Sequence, residues 1–148
     1  MRDMKVPANI IVYDRFGQLL LLAEVRSVPE TTPEWAKEIR QDVIRLMEGF
    51  LPRYFLVVSR DRSYLWLSAS DSEALPDLIL PTEELLSNYL RNVDSSASAI
   101  SGNALELVVG IWLRDITRGD ARARSVLPQN VDLATAVEHG RMEFAAAA

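Results

Sequence analysis

The order of apolar segments in this chain predicts an α/β (α+β) fold: a mixed β-sheet of about four strands with helices packed on it, and a helical C-terminal half. Three observations lead there. Short β-branched and aromatic runs come in two hairpin-like pairs, one segment of helical periodicity separates the pairs, and past residue 78 apolar residues recur at helical spacing. The 148 residues, 49% hydrophobic and 25% charged, are of a size and composition that supply one hydrophobic core. Residues 1–148 therefore read as a single domain, with a hairpin–helix–hairpin core in 1–67 and a helical portion in 78–148.

Ile10-Ile11-Val12-Tyr13 is β-branched and aromatic, and Leu19–Val25 is a nearly unbroken apolar run. Asp14-Arg15-Phe16-Gly17 lies between them as a turn, with Gly17 suited to positive φ, so the two runs predict an antiparallel hairpin. Thr32-Pro33-Glu34 is a helix start: a hydroxyl cap, proline in the first turn and an acid beside it. Trp35, Ile39, Val43, Leu46, Met47 and Phe50 follow at helical spacing, and Gly49 or Pro52 ends the helix. Tyr54–Val58 and Tyr64–Leu67 predict a second hairpin around Ser59–Ser63, and Ser68–Asp77 a loop. Pro81-Thr82-Glu83-Glu84 opens a short helix with Leu85, Leu86, Tyr89 and Leu90 inward. After the serine-rich 93–103 linker, Ala104–Arg118 predicts a longer helix with Leu105, Val108, Val109, Trp112 and Ile116 on one face. Asp132 caps a last turn through Val137, Gly140 ends it, and Met142–Phe144 reads as extended.

Composition removes several chemistries. The absence of cysteine excludes disulfides, thiol nucleophiles and thiolate metal sites, and one histidine, His139, is a poor basis for a triad or an imidazole metal site. Sixteen basic against twenty-one acidic side chains give a net charge of −5, which disfavours sequence-independent nucleic-acid binding. No apolar stretch approaches the ~20 residues of a membrane span, so a cytoplasmic location without membrane attachment is expected. The arginines near the second hairpin (Arg53, Arg60, Arg62) and after the long helix (Arg114, Arg118, Arg122, Arg124) are interleaved with Asp61, Asp115 and Asp120, the pattern of a solvated face.

The chemistry-bearing feature is Glu24-Val25-Arg26. Residues two apart on a strand share a face, so an acid and a base project together from the end of an apolar, central strand. Charges there are costly to bury, which marks a strand end either as a site or as a local ion pair. Asn9 enters through hairpin register: with paired numbers summing to 31 or 33, it neighbours Glu24 diagonally or directly, about 5–8 Å away. Asp14 is at the turn, roughly 20 Å off at ~3.3 Å per residue.

Pro7-Ala8-Asn9-Ile10, the turn, the strand ending Glu24-Val25-Arg26 and the amphipathic helix together resemble the PD-(D/E)xK restriction-endonuclease-like superfamily, in particular small bacterial, often cyanobacterial, members. The resemblance covers residues 7–67. It implies a restriction-endonuclease-like fold in which an aspartate and a glutamate bind Mg²⁺ or Mn²⁺ and a lysine acts on the attacking water. Asn9 stands at the aspartate position, Glu24 at the glutamate and Arg26 at the lysine, so two of the three depart from the pattern. Asparagine offers a carbonyl without charge, and arginine cannot serve as a base. Only Met1–Val6 precede the hairpin, where the superfamily has a helix and a strand; those would be lost, supplied by a partner chain or replaced by the C-terminal helices.

The expected function is a non-catalytic or weakly active member of this superfamily, acting as an oligomeric or partner-binding protein. The alternative is a metal-dependent phosphodiesterase or nuclease using Glu24 with Asn9 and Arg26, the first two as metal ligands. A homodimer is expected, because an abbreviated sheet with this much apolar surface leaves an edge or patch to cover.

Overall fold

Two hairpins joined by a helix form the centre of the molecule, as a computed structural model describes it for residues 8–93 and 95–145. Pro7 and the last three alanines of the tail lie outside the described residues. Strand β1 (Ile10–Tyr13) pairs antiparallel with β2 (Leu19–Val25), and the pairs from Ile10↔Ala23 to Val12↔Leu21 all sum to 33. A bulge between Val12 and Tyr13 absorbs the odd residue of the turn and leaves that register undisturbed. Gly17 takes φ +80° in the turn, a conformation L side chains rarely adopt.

Helix α1 (Pro33–Leu46) carries the chain from β2 to β3 (Tyr54–Val58), which lies parallel to β2 with Glu24 beside Val57. Thr32 caps α1 by accepting the Trp35 N–H at 3.1 Å, and Gly49 at φ +85° turns the chain out. β4 (Arg62–Trp66) returns antiparallel, so the hairpin turn is 59–61 and the strand starts two residues earlier than its aromatic run suggests.

Among the described residues the sheet has six strands, not four. β5 (Leu78–Pro81) pairs with β4 and β6 (Arg141–Phe144) with β1, giving the order β5-β4-β3-β2-β1-β6. Both additions are four-residue edge strands inside the half that reads as helical. β5 hides in the apolar approach to the Pro81 helix start, and β6 becomes a strand only because β1 has a free edge.

The helices beyond β5 are α2 (Thr82–Leu85), α3 (Ser87–Leu90), α4 (Gly102–Thr117), α5 (Ala121–Arg124) and α6 (Leu133–Val137). The single helix predicted through Leu90 is broken at Leu86, although Leu85, Leu86 and Leu90 are all buried. α1 covers one sheet face, packing Ala36 and Val43 on Leu22, Phe55, Val57, Tyr64 and Trp66. α4 leads the cover of the other, where Leu105, Val108, Val109, Trp112 and Ile116 meet Ile10, Val12, Leu21 and Ala23. Among the described residues no helix is long and apolar enough to cross a membrane.

Candidate functional site

Parallel β2 and β3 end side by side, and α1 begins above those ends. In open α/β sheets the crevice beyond such carboxyl ends is where ligands sit. Glu24 is there, with only 4% of its surface exposed. Arg26, half-exposed, closes on it through Nη2 at 2.7 Å and Nε at 2.9 Å, both to Oε2. Burial raises the Glu24 pKa above its ordinary 4.5; the hydrogen bond and charge of Arg26 and a backbone N–H of Asn9 pull it down, Glu106 pushes it up, and burial prevails.

Asn9 is bound up in backbone bonds. Its Oδ1 accepts the Val25 N–H at 2.6 Å, its own N–H donates to the Ala23 carbonyl at 3.1 Å, and its carbonyl accepts the Ala145 N–H at 2.9 Å. Asn9 stands in the bend before β1, just outside the ladder whose last pair is Ile10↔Ala23. The side chain extends the β1–β2 pairing by one rung, next to Glu24.

Divalent-cation sites of this kind use one or two carboxylates, and binding one here would mean breaking contacts that these residues already make. Here one oxygen of the single carboxylate is held twice by a guanidinium, and the asparagine oxygen is committed to a peptide N–H. Among the described residues no three His, Cys, Asp or Glu side chains come together as a ligand group. Asp14 belongs to the turn, where Oδ1 accepts the N–H groups of Phe16 at 2.9 Å and Gln18 at 3.0 Å. Gln41, about nine residues along α1 from the cap and so roughly 14 Å from it at 1.5 Å per residue, lines a separate hollow with Ile44, Arg45, Ser72 and Glu73.

Two polar arrangements escaped the sequence reading. Beside the ion pair, Thr31 Oγ1 lies 2.8 Å from both Ser59 Oγ and Tyr64 Oη and donates to Asp61 Oδ1 at 3.1 Å, while Ser59 Oγ donates to the same oxygen at 2.7 Å. Burial raises the Asp61 pKa, but the hydrogen bonds from Ser59 and Thr31 outweigh it and hold the carboxyl below its ordinary value. This cluster fastens the β2–α1 connection to the β3–β4 turn, and its hydroxyls are occupied by one another. The second is Arg40, fully buried on α1 with its guanidinium 5.2 Å from the Trp66 ring centroid. It donates to the carbonyls of Ser70 at 2.9 Å and Asp71 at 3.0 Å and pins the 68–77 loop. The Ser-Arg-Asp run after a strand was the only sequence signal for the first; a lone arginine on a helix gave none for the second.

Compared with protein-family models, curated proteins and solved structures, the chain matches none.

Proposed function

We propose that this protein is a non-catalytic, restriction-endonuclease-like protein that works by association, as an oligomer or as the holder of a partner. One observation carries the reading: the two residues at the superfamily's acidic positions are spent on the protein itself. The Asn9 amide oxygen serves as a backbone acceptor for Val25, and the Glu24 carboxylate serves Arg26. Arg26 cannot act as a base, because a guanidinium keeps its proton at any physiological pH. The charge of −5 points the same way, away from a polyanionic substrate.

The test combines a nuclease assay with a metal titration. Branched, duplex and single-stranded DNA are incubated with wild type, Asn9→Asp and Glu24→Ala in Mg²⁺ or Mn²⁺, and metal binding is followed by calorimetry. The expected result is no cleavage and no saturable metal heat for any of them. Metal-dependent cleavage by the wild type that Glu24→Ala abolishes overturns the reading in favour of a phosphodiesterase.

A further inference from the structure

The two edges of the sheet are built differently. β5 ends on Pro81, which has no N–H to offer a neighbour, and proline is a usual way of blunting an edge. β6 (Arg-Met-Glu-Phe) has no proline, and among the described residues it pairs only with β1. The Ala145 N–H reaches the Asn9 carbonyl, so the odd-numbered residues of this stretch turn their backbone groups towards β1. Those of Met142 and Phe144 point away from the sheet.

We propose that β6 is the surface on which two copies of this chain associate, strand against strand, about a two-fold axis at Met142. Backbone parity allows three antiparallel registers close to the centre of β6, because outward-facing residues must meet outward-facing residues. Pairing Met142 with Phe144 of the copy sets Glu143 against Glu143. Pairing Met142 with Gly140 of the copy sets Arg141 against Arg141. Pairing Met142 with itself sets Arg141 opposite Glu143 twice, in the closer, non-hydrogen-bonded type of pair. All three are two-fold symmetric, and charge complementarity selects the one centred on Met142.

Inside each chain Arg141 Nε already holds Glu143 Oε2 at 2.7 Å, with the guanidinium 4.1 Å from the centroid of the Tyr13 ring. The dimer keeps both pairs and closes them into a ring of four alternating charges. The opposite face of the strand adds apolar area: Phe144 is 43% exposed against α4, and Leu107, one turn from Gly110 where Phe144 packs, is 52% exposed. Four paired residues alone fall well short of the ~1,200 Å² of a stable interface, so this apolar strip has to be part of it. The proposal supplies the self-association in the function proposed above and rests on that reading only there. A monomeric protein would overturn the interface and leave the Asn9–Glu24 question to the metal titration.

Sedimentation equilibrium tests it, with circular dichroism as the check on folding. Wild type is expected to dimerise. Arg141→Glu and Glu143→Arg are each expected to raise the dissociation constant about tenfold or more, as two attractive cross-strand pairs become repulsive. The double variant Arg141→Glu/Glu143→Arg, and an equimolar mixture of the two single variants, are expected to recover dimers because opposite charges face each other again. A wild type monomeric at all soluble concentrations overturns the proposal. So do single variants that dimerise as well as the wild type, or a double variant that fails to recover.

Discussion

At the residue scale the ion pair at the end of β2 is asymmetric, and the asymmetry has measurable consequences. The Glu24 side chain is 5% exposed and that of Arg26 49%. Arg26→Met leaves a buried carboxylate without its partner and is expected to cost about 1–3 kcal/mol in urea unfolding at pH 7. Glu24→Gln leaves a guanidinium that can return to water and is expected to change stability by less than about 1 kcal/mol. The pH dependence has a definite sign. Burial, outweighing Arg26, lifts the Glu24 pKa in the folded state above its ordinary 4.5. Just above 4.5 the native state therefore holds more protons than the unfolded chain, and stability falls as pH rises through that window. Arg26→Met is expected to widen the window upward and Glu24→Gln to abolish this contribution, as read from unfolding free energies across pH 4–7. A slope unchanged in both variants would mean that Glu24 titrates normally.

At the element scale two devices hold the sheet's covers in place. Arg40 is a buried cation whose hydrogen bonds go to carbonyls and not to a carboxylate. Arg40→Ala opens a cavity beside Trp66 and strands two carbonyls, so a loss of about 3 kcal/mol is expected. Arg40→Lys is expected to recover less than half of it, because a single ammonium does not reproduce the planar fork over the indole. Faster amide exchange confined to the 68–77 loop is the accompanying signature. On the other face, α4 and β6 meet where a methyl on Gly110 would overlap the Phe144 ring. Gly110→Ala is expected to destabilise by about 1–2 kcal/mol, and Phe144→Ala to relieve much of that cost in the double variant. Additive effects in that cycle would argue that the ring moves aside freely.

At the scale of the whole molecule the chain closes on itself: β6, from the far end of the sequence, lies beside β1 near its start, and Ala145 hydrogen-bonds to Asn9. The place beside β1 is taken by this C-terminal strand, a segment that reads from the sequence only as extended. A methyl on Gly140 would overlap the Tyr13 carbonyl, so the docking of β6 leaves no room for a side chain at its entry. Gly140→Val is expected to displace β6, uncover the β1 edge of the hairpin and promote aggregation on mild heating, as light scattering would record. Solubility equal to wild type would mean that β6 is dispensable to the fold.

Local chemistry made much of this architecture legible. A β-branched run, an apolar run and the turn residues between them marked β1 and β2, the Thr32-Pro33-Glu34 start marked α1, and the periodic stripe of α4 chose its buried face. Each of these signals is written within a few residues, so no distant contact is needed to interpret it. That Glu24 on β2 and Arg26 just past its end project together followed from the two-residue period of extended chain. The strands β5 and β6 were not legible as part of the sheet, because four-residue segments acquire strand character from the neighbour that pairs with them. Nor was the state of the candidate site. An Asn-Glu-Arg set reads equally as a degenerate metal centre or as structural glue, and the choice depends on which donors reach Asn9 Oδ1 and Glu24 Oε2. The sequence by itself determined which residues stand at the end of β2; only the tertiary structure decided that a peptide N–H and a guanidinium occupy them, because burial forces polar groups to find partners within the fold.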